Sequence, residues 1–176
     1  MRINKHSKIE SVCSDDKSRP SIQNAWLDAE KGRIIATNGK IMAIVEITTD
    51  EGDVTGPITP DAIKAARKEA RRSELSIQAN GSLVLPSGVS LPRPSVGEEF
   101  GQVPPFPNCD AVWPSDANPI VFQVGLDAEL LLKLALALSK DGEAKVRLKF
   151  TSSDEVIQVT GTNRLAKGLL MPTKTL

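Results

Sequence analysis

The sequence predicts an α+β fold, in which antiparallel sheets are built from repeated β-α-β-β-β units and two helices pack against them. Three observations carry this. Short β-prone runs are separated by turn residues, above all Asn38-Gly39 and Asn80-Gly81, and Asn-Gly favours hairpins because the tight turns there need positive φ. Two segments, 60–72 and 127–140, have helical patterning. The order strand, helix, three strands runs over 57–93 and again over 120–172 with barely similar residues, so one supersecondary unit recurs with sheets and core in common.

Taken in order, residues 1–21 are polar and poorly patterned. A short strand fits 2–5, and Ser14-Asp15-Asp16-Lys17-Ser18-Arg19-Pro20 reads as loop. Runs 22–27, 33–36 and 40–47 form a meander, which resembles the repeated unit with its helix missing. After a glycine-bounded loop, Pro57-Ile58 is a strand. Thr59-Pro60-Asp61 then opens the first helix with a capping hydroxyl, a proline at the first helical position and an acid near the positive end of the dipole. Strands follow at 75–79, 82–85 and 89–91. Residues 96–119 are rich in proline and should be extended, because proline removes donors and restricts its neighbours. A strand at 120–124, the second helix, and strands at 145–150, 156–160 and 166–171 complete the chain. The expected organisation is a first domain over 1–103, a connector over 104–119 and a half-domain over 120–176.

Composition narrows the function. The 176 residues allow one domain or two small ones. Twenty-two Lys and Arg balance 22 Asp and Glu, so any nucleic-acid role rests on local charge placement. Aromatics make up 3% with no Tyr, which argues against a stacking platform for single strands. Cys13 and Cys109 are the only cysteines, and no apolar leader precedes them; a reduced, cytoplasmic setting is expected. No apolar run reaches the ~18 residues of a membrane span. Catalysis is the least supported class: His6 is the single histidine, no Cys-x-x-Cys or phosphate-loop motif occurs, and Asp15, Asp16 and Asp110 have no partners at metal-ligand spacing. No enzyme, metal or cofactor is expected, and the acids should be solvated.

Three segments then carry a family likeness. Ala36-Thr37-Asn38-Gly39-Lys40-Ile41-Met42-Ala43 resembles the Ala-Thr-Asp-Gly-His-Arg-Leu-Ala hairpin of the bacterial DNA polymerase III β subunit, the sliding clamp. Phe106-Pro107-Asn108-Cys109-Asp110-Ala111-Val112-Trp113-Pro114 keeps the Phe-Pro-x-x-x-x-Val-x-Pro spacing of that clamp's connector, and Leu169-Leu170-Met171-Pro172 is similar to its tail. The resemblance implies a DNA clamp-like fold: a middle domain without its first helix joined to the last half-domain. It also implies a non-enzymatic processivity or docking factor beside a DNA polymerase. Its implied partners are double-stranded DNA, held weakly and without sequence specificity, replication or repair proteins bound through short linear peptides, and further copies of the chain. Carried over by residue, the peptide pocket would be lined by Thr37, Gly39, Lys40, Ile41 and Met42, by Pro107 and Val112, and by Leu169, Leu170, Met171 and Pro172. Lys40 and Ile41 replace the family's His-Arg pair, and Thr173 its second tail Met.

The helices carry independent weight. Lys64, Arg67, Lys68, Arg71 and Arg72 fall within an arc of about 140° opposite Ala62, Ile63, Ala66 and Ala70. Such a face suits phosphates, which need charge without base readout; a solvated helix end would look the same, since the dipole favours cations there. The second helix is apolar on two sides. Leu126, Leu130, Leu131, Leu134 and Leu138 make a core face, whereas Leu132 and Leu136 project away, which fits deep burial or else an interface. Two function classes therefore stand side by side: a clamp-like factor that takes hold of DNA, and a clamp-fold interaction protein that binds peptides or other proteins and does not encircle DNA.

Overall fold

The computed structural model describes residues 1–70, 74–79, 81–97, 99, 101–111, 123–138, 144–162 and 167–173. The chain forms two compact units, Met1–Val112 and Trp113–Leu176.

In the first unit β1 (Arg2–Asn4) is followed by single 3₁₀ turns at Ile9–Val12 and Pro20–Ile22, and then by β2 (Ala25–Asp28), β3 (Arg33–Thr37), β4 (Met42–Glu46) and β5 (Gly56–Ile58). The sheet order is β4-β3-β2-β5, antiparallel throughout, with Trp26 opposite Ile35 and Ile34 opposite Val45. Helix α1 (Pro60–Glu69) comes next, then β6 (Glu74–Ser76), β7 (Leu83–Val84) and β8 (Ser90–Leu91). Strand β1 pairs with β6, and a bridge from Arg2 to Thr48 ties β1 to the chain beyond β4. The expected cap is in place: the Thr59 hydroxyl accepts from the Ala62 amide. Ala62, Ile63 and Ala66 are fully buried, and the small side chains bring α1 close to the sheet. The helix is shorter than its periodicity suggests. It stops at Glu69 because Ala70 turns to an extended conformation, and Arg71 and Arg72 lie outside the described residues.

Where a helix is missing from the repeated unit, the chain supplies only the Ile9–Val12 turn, whose buried Ile9 joins Ile3, Leu27, Ile34, Ile58, Ile63 and Leu83 in one core. Polar side chains close this core at its margins. The amino group of Met1, itself buried, donates to the Ile77 carbonyl at 2.8 Å and to Asp50 at 2.9 Å, and lies 2.7 Å from Asp53 Oδ2. Asp53 also accepts from the Asp50 and Ala79 amides. Arg93 donates to three carbonyls, those of Pro57 (3.0 Å), Ala79 (2.8 Å) and Val54 (2.6 Å), and burial pulls its pKa below the usual guanidinium value. Gly56, at φ +151°, leaves the room that this guanidinium fills; a Cβ there would sit 3.0 Å from Arg93 Nη2.

In the second unit α2 (Ala128–Ala137), capped by Asp127, precedes β9 (Arg147–Lys149), β10 (Ile157–Thr160) and β11 (Lys167–Leu170). The sheet order is β11-β10-β9, again antiparallel. Of the strand expected at 120–124, residues 120–122 lie outside the described set, while Gly125 bridges to Thr173. Leu131, Leu134 and Leu138 of the helix region pack with Leu148, Ile157, Val159 and Leu170. Gly168 makes this possible, since a Cβ there would meet Leu134 Cδ1 at 2.6 Å. Two expectations for this helix are corrected. Leu130 is half exposed rather than core, because it falls at the edge of the packed arc, and α2 is not buried all round, since Leu132 and Leu136 are also exposed.

Asp53→Ala leaves the Asp50 and Ala79 amides without their acceptor and takes one of its two carboxylates from the buried Met1 ammonium. The expected cost is about 3 kcal/mol, read as a lower urea midpoint with an unchanged slope; a midpoint within error of the parent would show that the contacts contribute nothing.

Candidate functional site

The first unit carries a groove of about 640 Å3, lined by Ser18, Arg19, Pro20, Ser21, Ile22, Thr37, Gly39, Lys40, Ile41, Met42, Pro104, Pro107, Asn108 and Cys109. Three walls build it, each held by a different device.

The first wall is the tip of the β3–β4 hairpin. The gap expected at 37–39 is a four-residue loop over 38–41, with Thr37 Oγ1 donating to the Ile41 carbonyl and Asn38 Oδ1 accepting from the Lys40 and Ile41 amides. Gly39 has φ +83°, a conformation that side chains rarely tolerate, and this carries Lys40 and Ile41 outward, both exposed. The second wall is the turn at 18–22. Asp16 fixes its start by accepting from the Ser18 amide and hydroxyl, which hold its carboxyl below the usual range, and Ile22 anchors its end in the interior. Arg19 lies across the groove with its guanidinium in the space that a side chain on Gly39 would need.

The third wall, 104–109, contains no ladder hydrogen bond. Side chains on either side pin it to the β2–β3 ribbon. Phe106 stacks on Trp26 with ring centroids 5.6 Å apart and planes 17° off parallel. Asp110 takes a two-pronged contact from Arg33 (2.8 Å to each oxygen) and a third from Lys31 at 2.6 Å. The Arg33 guanidinium, helped by Lys31, holds the Asp110 carboxyl far below the ordinary carboxylate range. Asp110 is thus not a free solvated acid, as expected from its loop position, but the clamp on this wall. Cys109 is buried beside it, and burial raises its thiol pKa; Cys13, in the core, is pushed up to about 11 by the same cause. Both are held as thiols, which does not favour nucleophilic chemistry.

Of the residues expected to bind peptide, the groove brings together Thr37, Gly39, Lys40, Ile41, Met42 and Pro107. Val112 lies outside the described residues. The tail residues belong to the second unit. Leu169 and Met171 are exposed there, and Pro172 lines a separate polar cavity with Gly125, Asp154 and Thr173. Strand alternation turns Leu170 inward opposite Ile157, where it packs in the core of this unit. The sequence reading missed the whole 18–22 wall, which has no periodicity to reveal it, and also Pro104, Asn108 and Cys109.

On α1, Lys64 and Lys68 are exposed as expected, and neither forms an ion pair among the described residues. Arg67 differs. Its Nε donates to the Lys5 carbonyl at 2.8 Å and its Nη1 pairs with the half-buried Glu10, so its charge is spent on holding the Ile9–Val12 turn. Among the described residues no three His, Cys, Asp or Glu side chains gather as a metal ion would require, and no helix is long and apolar enough to cross a membrane.

The depressed Asp110 pKa sets a direction with pH. The pairing is fully present above the unfolded carboxylate pKa of about 4 and is lost as pH falls through the lower folded value. Lowering the pH from 7 to 3 should therefore reduce the thermal midpoint of the parent more than that of Asp110→Asn, which has no charge to lose. Equal acid sensitivity of the two would show that the pairing is not what holds the wall.

No protein-family model and no curated protein matches the sequence. Solved structures do. The β sliding clamp of C. crescentus superposes with a TM-score of 0.64 at 17% identity, over 98% of this chain and 50% of that one. DNA polymerase III subunit β from Pseudomonas aeruginosa gives 0.61 at 13% identity, over 98% and 50%. The Bartonella birtlesii clamp, solved bound to griselimycin, gives 0.61 at 15% identity, over 100% and 51%. The chain spans about half the length of these clamps, and its fold, two helices with antiparallel sheets in repeated units, is that of the DNA clamp.

Proposed function

We propose that this chain is a clamp-fold docking factor that works beside a DNA polymerase, receiving short linear peptides of replication or repair proteins in the groove of its first unit. The observation that carries the reading is the groove itself, where Ile22, Ile41, Met42, Pro104 and Pro107 supply apolar surface at the hairpin tip. An extended peptide with two or three apolar anchors would bury a few hundred Å2 there, and at ~25 cal/mol per Å2, less the cost of ordering, micromolar affinity is expected. The lining holds two cations, Arg19 and Lys40, and no acid. Peptides with an acidic residue beside the anchors are therefore favoured over basic ones.

Titration with a peptide of the Gln-x-x-Leu-Phe kind should move amide signals at 18–22, 37–42 and 104–109. Lys40→Glu should weaken binding several-fold and reverse the preference between acidic and basic peptides. Shifts confined to other regions would remove the assignment.

The DNA side of the proposal rests on α1, where Lys64 and Lys68, together with Arg71 and Arg72 from the sequence, would meet phosphates without reading bases. A second reading, an interaction protein that never encircles DNA, is favoured by one observation: Arg67, at one edge of the cationic arc, is committed to Glu10. Mass in solution separates the two. A factor that closes a ring runs as a stable homo-oligomer whose DNA affinity falls steeply with salt and is lost in Lys64→Glu/Lys68→Glu; the interaction protein is a monomer or dimer whose binding partners are indifferent to those changes.

A further inference from the structure

The two units wear opposite surfaces on equivalent layers. In the first, the helix presents lysines. In the second, the outer side of α2 presents Leu132 and Leu136 beside Lys133, and three further cations, Arg147, Lys149 and Lys167, lie on the sheet. Register fixes their arrangement. Thr160 stands between Arg147 and Lys167, and Gln158 between Lys149 and Leu169, so these six side chains form two rows across β9, β10 and β11. Leu148, Ile157, Val159 and Leu170 point the other way into the core, which places the six on the solvent side. Arg147, Lys149, Gln158, Lys167 and Leu169 are exposed, no acid stands in either row, and none of the three cations forms an ion pair among the described residues.

The geometry points to this sheet face as a second binding surface, for the phosphate backbone of duplex DNA, independent of α1. Strand geometry puts Arg147 and Lys149 about 7 Å apart along β9 and Lys167 about 10 Å across the sheet. Long side chains on such a triangle reach successive phosphates of one strand, and Thr160 and Gln158 between them can donate to phosphate oxygens. Neither row holds an aromatic ring on which an unpaired base could stack, which suits a duplex rather than a single strand. Contact is with phosphates alone and carries no sequence preference.

The test uses the full chain and a fluorescein-labelled mixed-sequence 20-base-pair duplex, with anisotropy followed from 50 to 200 mM NaCl. Three phosphate contacts from the sheet account for roughly a forty-fold loss of affinity over that range. Arg147→Gln/Lys149→Gln/Lys167→Gln, with its fold checked by circular dichroism, should lose most of that salt dependence, and Lys64→Gln/Lys68→Gln is measured beside it. Loss in the sheet variant supports the inference whatever the helix variant does. An unchanged salt slope in a folded sheet variant overturns it, leaves the helix reading intact, and reduces these cations to guards of two exposed sheet edges. Binding of polyglutamate but not of the duplex also overturns it, in favour of an acidic protein partner. Should the triple variant unfold, the single Lys167→Gln is expected to cut the slope by about one unit, and no change there overturns the inference.

Discussion

A segment rich in proline cannot secure itself in a sheet, because it lacks the donors a ladder needs, and this constraint governs the groove. Residues 104–109 are held by side chains: the Phe106 ring against Trp26, Cys109 turned into the interior, and just beyond them the Asp110 carboxylate in the fork of Arg33. An aromatic pair of this kind contributes about 1 kcal/mol beyond its buried area, and an exposed ion pair less. Neither alone would order an extended wall. Set at either end of a stretch whose φ angles proline has already restricted, they have little entropy left to overcome.

The same economy appears at the margins of the first unit. Strands of two to five residues cannot saturate one another's backbone groups, so charged side chains finish the task. Arg93 gathers the carbonyls of Val54, Pro57 and Ala79, which lie on three separate stretches, and Asp53 gathers the amides of Asp50 and Ala79 with the Met1 amine. These groups stitch β5, the loop before it and the chain beyond β6 into one body. A lysine at 93 could meet one carbonyl well but not three, since its charge is a point and not a planar fork.

What the sequence disclosed follows from range. Thr59-Pro60-Asp61 announced α1, and short β-prone runs between turn residues announced β2 to β4 and β9 to β11, because caps and turns act over a few residues. The hairpin and connector motifs that mark one groove were legible as short strings. Arg67 with Glu10 and Arg33 with Asp110 were not, since each pair is separated by more than fifty residues, and nothing local ties either arginine to its partner. The 18–22 wall was illegible for another reason: Ser18-Arg19-Pro20-Ser21 has no periodicity, and its position is set by Asp16 and by Ile22 reaching the core. Leu130 shows the limit of periodicity itself, which places a residue on an arc but does not say how wide an arc the partner covers.

The two helices show how one fold accommodates two surfaces. Alanine at 62 and 66 lets α1 sit low on its sheet, so the contact is narrow and most of the helix circumference is left for charge. Helix α2 approaches its sheet through leucines and needs glycine opposite them at 168 to come close. Its remaining leucines then have nowhere to go but outward. Leu132 and Leu136 stand one turn apart on the side away from the core, close to Glu129 and Lys133. Among the described residues α2 offers a polyanion only Lys133 amid hydrocarbon, whereas the sheet sets Arg147, Lys149 and Lys167 on one face, so charge for such a ligand is concentrated on the strands.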